Sequence, residues 1–314
     1  MNDILKSLIN LLKSSRRIHF NFVNEQLAEG EWRSEYWSGN ASSILLKMND
    51  RFFILTAKHV LAHTAYPYPN ASPIWVDAQN KFHERKHVTQ YLHCGRQWHI
   101  EDLIPNDGFF DNDEEKDILL IEMFPPRELF YPDDYLDFDR NIVYLSEEDF
   151  VDGKPCFISG FPARLNGYSY DNPPQGYTHS TEIHREHLSG KFIKEGDFGF
   201  IELSDSRSHL DLVGFSGGLV ISTIGDTPDL GFAGLVIRGG NGKIHFIPVY
   251  AFIDALLNYQ QSNSELIDPN FGKTPQDLGL TFEEVMSIEL RMAFDALGLN
   301  VSEQKISSIL NPKG

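Results

Sequence analysis

The chain has 314 residues, of which 41% are apolar and 23% charged, and a formal net charge of −18. The length allows one large or two ordinary domains with ample core, and the composition is that of a soluble globular protein. The acidity argues against nucleic acid as a partner, because phosphates are repelled, and no apolar run reaches the 18 or so residues that span a bilayer.

The chain opens with "MNDILKSLINLLKSSRR", in which Ile4, Leu5, Leu8, Leu11 and Leu12 recur at helical spacing. This predicts an amphipathic helix over 1–17. An acid leads and the basic residues follow the apolar part, the reverse of a secretory signal. The helix is expected to pack on the body of the protein; a membrane-surface or partner-binding role is the other reading. Two cysteines, Cys94 and Cys156, stand far apart, so a reducing cytoplasm is the expected location.

"SSILLKM", Asn49-Asp50 and "RFFIL" read as a β-hairpin. Short apolar runs follow: "SPIWVDA", "ILLIEMF", "NIVYL", "PCFISGF", "GFIEL", "HLDLVGF", "GLVIS", "FAGLVI" and "IHFIPV". Many short β-rich segments split by Gly, Pro and Asp predict an all-β sandwich or a pair of barrels. The stretch "FPPRELFYPDDYLDFDR" (124–140) reads as a linker between halves. After Pro248 the periodicity turns helical in "VYAFIDALLNYQQ", "TFEEVMSIELRMAFDALG" and "SEQKISSIL", with Thr281 and Glu284 forming a capping box for the second.

The chemistry centres on "GFSGG" (214–218), a serine between glycines. In an α/β-hydrolase such a serine sits between a strand and a helix, with acid and then histidine downstream. Here "LVISTIGDTP" follows, which is β-branched and soon broken by Gly and Pro, and only His245 lies shortly downstream, within a strand pattern. The alternative is a turn between strands, with the partners upstream. His59 ends the apolar strand "FFILTAKH", and Asp117 heads "DILLIEM". His63 is the nearest competitor for the histidine, and Asp111 and Asp113 compete with Asp117. Asp117 is preferred because it directly precedes the strand.

The ordered set "FILTAKHV", "DILLIEM" and "GFSGGLV" resembles the histidine, aspartate and serine motifs of the trypsin-like serine peptidases. The resemblance is greatest to their bacterial, disulfide-poor, HtrA-like branch, and it covers roughly residues 35–255. It implies a mainly β fold of two six-stranded antiparallel β-barrels with an N-terminal helix and a C-terminal helical extension. The expected division is a helix over 1–17, a first barrel over 18–128, a second barrel with its closing helix over 129–258, and a helical extension over 259–314. It implies that Ser216 is the nucleophile, His59 the general base and acid, and Asp117 the residue that orients His59. The N–H groups of Gly214 and Ser216 are the implied oxyanion donors.

The resemblance also makes Leu210, Asp211, Leu212 and Val213 one wall of the substrate pocket. The strand Gly234–Arg238, including Val236, is the implied partner of the substrate backbone. Phe215 stands where the digestive branch has an aspartate that pairs with a freshly cut N-terminus, so activation by N-terminal insertion is not expected. The expected partner is a polypeptide substrate, with no cofactor. The C-terminal helices are expected to form a helical hairpin or to dock a regulator. His83, His87, His93, Cys94 and His99, and the stretch "THSTEIHREH", raise the question of metal. They are read as polar strand faces and loops, since i, i+4 residues on a strand stand about 13 Å apart. A catalytically silent binding module and a non-peptidase acyl hydrolase are the alternative functions.

Overall fold

A computed structural model describes residues 2–21, 38–48, 51–62, 73–76, 85–87, 92–99, 117–123, 134–140, 142–166, 168–171, 178–196, 199–204, 211–262, 281, 284, 287, 291 and 301–310. Its first strands are β1 (Ser15–Asn21), β2 (Ser38–Met48), β3 (Arg51–Ala57), β4 (Pro73–Val76), β5 (Arg85–His87), β6 (Leu92–His99), β7 (Ile118–Met123) and β8 (Leu136–Asp137). They are followed by β9 (Pro155–Gly160), β10 (Tyr168–Asp171), β11 (Thr178–Glu182), β12 (Glu186–Ile193), β13 (Phe200–Leu203), β14 (Leu219–Thr223), β15 (Leu230–Gly240) and β16 (Lys243–Pro248).

The protein is mainly β, and the later strands close into a six-stranded antiparallel barrel in the order β12-β13-β16-β15-β14-β9. Alternating burial accompanies the closure: Leu188 and Phe192 of β12 are buried between more exposed neighbours, and on β16 Ile244 and Phe246 flank the half-exposed His245 before Ile247 and Pro248 are both buried. Phe150, Phe192 and Phe246 meet in the barrel core with ring centroids 5.5–6.0 Å apart. The helix Val249–Ser262 follows β16 directly and buries Phe252 and Leu256.

The earlier strands form a seven-stranded sheet in the order β1-β4-β6-β7-β3-β2-β8, and β1 also pairs with β2. Met48 stands opposite Arg51 in the β2–β3 pair, as the expected hairpin requires. Alternate side chains serve two cores. Ile44, Leu46, Phe53, Leu55, Ile118 and Leu120 join a core continuous with the barrel, whereas Leu45, Ile54, Leu119 and Ile121 fill a smaller one on the other face. A one-residue slip of any of these strands would exchange the two sets, so the register is strongly specified.

The N-terminal helix Asn2–Ser14 packs Leu8, Leu11 and Leu12 against the main core. It ends earlier than the sequence predicts, because Ser15–Arg17 already belong to β1 and pair with Ile44–Ser42. The described part of the expected linker is docked: Asp134 is buried in an ion pair with Arg16 (2.8 Å), and β8 pairs parallel with Leu46 and Lys47. The described part of "NIVYL" provides a single bridge, Tyr144 with Phe232, and the described part of "HLDLVGF" is turn and loop, with the carbonyls of Leu212, Val213 and Gly214 accepting from Phe215 N–H, Ala163 N–H and the Ser42 hydroxyl. Thr281 and Glu284 make the predicted capping box, with each backbone N–H bonded to the other's side chain (2.7 and 3.2 Å). In the C-terminal region the helix Glu303–Leu310 buries Ile306. Among the described residues no helix is long and apolar enough to cross a membrane.

Candidate active site

The register of a single strand pair brings two of the expected residues together. β3 and β7 align Thr56 with Leu119 and Ala57 with Ile118. One step further, the Lys58 N–H donates to the Asp117 carbonyl (3.2 Å), which leaves His59 beside the Asp117 side chain. Both carboxylate oxygens hold that one residue: Oδ1 accepts the His59 backbone N–H (2.7 Å) and Oδ2 lies 2.5 Å from Nδ1. A carboxylate only accepts, so Nδ1 carries the proton and Nε2 presents its lone pair. Nε2 lies 3.1 Å from Ser216 Oγ. The side chain of His59 is 48% exposed and that of Asp117 16%, so the imidazole is open to an incoming molecule while its partner is shielded.

Ser216 is held by a loop in which successive peptide planes are tied. The Val213 carbonyl accepts from Ala163 N–H (2.7 Å), and Gly214 C=O accepts from the Ser42 hydroxyl (2.7 Å). Phe215 C=O accepts from Gly218 N–H (2.7 Å), and Ser216 C=O from Ser42 N–H (3.1 Å). A trans peptide aims its N–H opposite to its C=O. Tethering the carbonyls of Val213 and Phe215 therefore turns the N–H groups of Gly214 and Ser216 away from those tethers, and among the described residues neither N–H has a partner. Glycine is required at two points. Gly214 has φ +94°, and a Cβ there would lie 2.6 Å from Phe161 O; a Cβ at Gly217 (φ +84°) would lie 1.9 Å from Ser42 O. Phe215 is fully buried and lies over Gly160, so the loop is anchored in the core beside the serine.

The Ser216 hydroxyl also lies 2.9 Å from the Ile237 carbonyl. Ile237 O can only accept, so the single hydroxyl proton is directed either to it or to His59 Nε2.

The residues expected to line the pocket are placed variously. Leu210 lies outside the described residues, as do His63, Asp111 and Asp113. Asp211 is exposed and its Oδ1 accepts Val213 N–H (3.0 Å), while Val213 is 64% exposed. Leu212 is buried against Gly239. Gly234 is opposite Val220, and both backbone groups of Val236 are taken by Gly217 and Gly218 (2.8 and 2.9 Å). Beyond that point Gly239 and Gly240 face Ile244 and Lys243, and among the described residues no second strand flanks them. Of the histidines weighed for metal, His87 lies on β5 and His93 and His99 on β6, with Cys94, whereas His83 is outside the described residues. Among the described residues no group of three or more His, Cys, Asp or Glu could hold a metal ion. Cys156 is buried, which pushes its thiol up to about 11.

Sequence reasoning missed Ser42 and the Ile237 carbonyl. The first reads as one of two serines in a strand, and the second is a backbone atom without a sequence signal. No family model matches the chain, and no curated protein matches it.

Proposed function

We propose that the protein is a serine endopeptidase of the trypsin-like kind, working through an acyl-enzyme. One observation carries this reading: Asp117, His59 and Ser216 form a continuous hydrogen-bonded line, 2.5 Å and then 3.1 Å, beside two N–H groups without partners. In the proposed reaction Ser216 Oγ attacks a peptide carbonyl as His59 Nε2 takes the hydroxyl proton. Asp117 stabilises the imidazolium and keeps it oriented. The carbonyl oxygen, now negative, accepts from Gly214 and Ser216 N–H. His59 then gives its proton to the leaving amine, and water repeats the sequence on the acyl-enzyme. The substrate backbone adds beside Gly239 and Gly240 of β15 as a further strand.

The two-barrel architecture belongs to the same proposal. The β1–β2 pairing, added to the run from β1 through β4, β6, β7 and β3 to β2, supports a first barrel beside the closed one. We also place the enzyme in a reducing cytoplasm on its two widely separated cysteines, and in a bacterium on the resemblance of its motifs to the bacterial branch alone.

A peptide-library digest, run with a panel of p-nitrophenyl esters and with the Ser216→Ala variant, tests the reading. The expected result is peptide cleavage that Ser216→Ala abolishes. Ester turnover without peptide cleavage would make the protein an acyl hydrolase, and neither activity would make the site a binding module.

A further inference from the structure

Ser42 of β2 makes four hydrogen bonds, two of them to the loop containing Ser216. Its hydroxyl donates to Gly214 C=O (2.7 Å) and accepts from Phe161 N–H (2.8 Å). Its N–H donates to Ser216 C=O (3.1 Å), and its own carbonyl accepts from the Thr56 hydroxyl (2.9 Å). The side chain is fully buried. The two carbonyls it holds belong to the peptides on either side of the Phe215–Ser216 peptide, whose N–H is one of the two proposed oxyanion donors.

We infer that Ser42 is a positioning residue of the reaction: its hydroxyl sets the orientation of the oxyanion donors across the junction between the seven-stranded sheet and the barrel. The inference rests on the serine hydrolase reading above. Its physical basis is that the middle peptide has freedom only to the extent that its neighbours do. A flexible chain swings a peptide plane easily at glycine, and Gly214 is the hinge on one side. The Ser42 hydroxyl removes that freedom by fixing the Gly214–Phe215 plane. Because it also holds Phe161 N–H, next to the Ala163 N–H that anchors Val213 C=O, it ties the two donor peptides to one frame. Ser42 touches no reacting atom, so its effect must come through the donors' aim, and an oxyanion site loses most of its worth when its donors are misdirected.

The neighbouring Ser43 supplies the control. It is also fully buried on the same strand, but its hydroxyl donates to Arg16 C=O (3.2 Å), away from the loop. The test is the rate at which a fluorophosphonate labels Ser216, measured per folded molecule across a pH range. Its tetrahedral adduct places an oxygen where the oxyanion would sit. Ser42→Ala is expected to slow labelling about tenfold to a hundredfold at every pH, with the acid-side midpoint unchanged because the His59–Asp117 pair is untouched. Ser43→Ala is expected to stay within about twofold. Ser42→Cys keeps the volume but offers only a weak donor, and it carries the same expectation should the alanine variant not fold. Labelling of Ser42→Ala and Ser42→Cys at the wild-type rate, or an equal loss in Ser43→Ala, overturns the inference alone. A wild-type protein that does not label at all removes the hydrolase reading beneath it.

Discussion

The seven-stranded sheet and the closed barrel position their parts of the site by different means. The sheet aligns His59 and Asp117 through the register of one antiparallel pair, and that register is locked because alternate side chains face two separate cores. The barrel presents Ser216 from a turn whose carbonyls are tied one by one to Ala163, Ser42 and Gly218. A register tolerates changes in any single side chain as long as the alternation survives. A mesh of single hydrogen bonds does not. Apart from Ser42 of β2, whose hydroxyl belongs to that mesh, the sheet side should therefore respond to substitution only at the reacting groups, whereas the barrel side should respond at positions that touch no substrate.

The largest expected effects lie at the reacting groups. Ser216→Ala is expected to lower turnover by about 10⁴- to 10⁶-fold, and Asp117→Asn by about 10⁴-fold because the histidine then adopts the wrong tautomer. Both proteins should melt within a few degrees of wild type, since neither residue fills the core. Equal losses of stability and activity would refute the separation of roles.

Gly214→Ala is expected to reduce turnover by about 10²- to 10³-fold, the effect of removing one oxyanion donor. The new Cβ would lie 2.6 Å from Phe161 O and Ala163 N, so the donor peptide must move. Kinetics on the folded variant check this, and a loss confined to KM would contradict it. Phe215→Ala deletes a fully buried ring one residue before Ser216. It should destabilise the protein by about 3–5 kcal/mol in denaturant titrations and loosen the serine turn with it. A loss below about 1 kcal/mol would mean that the loop does not depend on that anchor.

The smallest effect is a pH dependence on the barrel side. Burial and then the Arg185 charge hold His187 down from 6.5 to about 4. The unfolded chain therefore takes up a proton near pH 6.5 that the folded protein refuses until about pH 4. Stability falls as pH drops through that window and is constant below it. For a partly exposed ring the contribution is on the order of 1–2 kcal/mol after allowance for solvent screening. His187→Gln should flatten this part of the stability curve, and an unchanged slope would assign it to other groups.

Residues whose placement is declared by their immediate neighbours were legible in the sequence. His59 and Asp117 adjoin apolar strands, the serine sits in a glycine turn, and the Thr281–Glu284 capping box spans four residues. Most barrel strands, including β9, β13, β14, β15 and β16, announced themselves as short apolar runs. What stayed hidden depends on distant partners. The polar strand β10 is recognisable only from what it pairs with, and β5, β6 and β11, readable only as polar strand faces and loops, take their bounds and register from their partners. The described part of the acid- and proline-rich stretch read as a linker is docked because Asp134 meets Arg16, and nothing near Asp134 in the sequence names that partner. Ser42 is the sharpest case, a strand serine whose importance lies entirely in the loop that folds back onto it.

The central claim is that His59 makes Ser216 a nucleophile. Intact protein treated with a fluorophosphonate and mapped by mass spectrometry tests it most directly. The account predicts one adduct, on Ser216, that is lost in His59→Ala. No adduct, an adduct on another residue, or labelling of Ser216 that persists undiminished without His59 would contradict it.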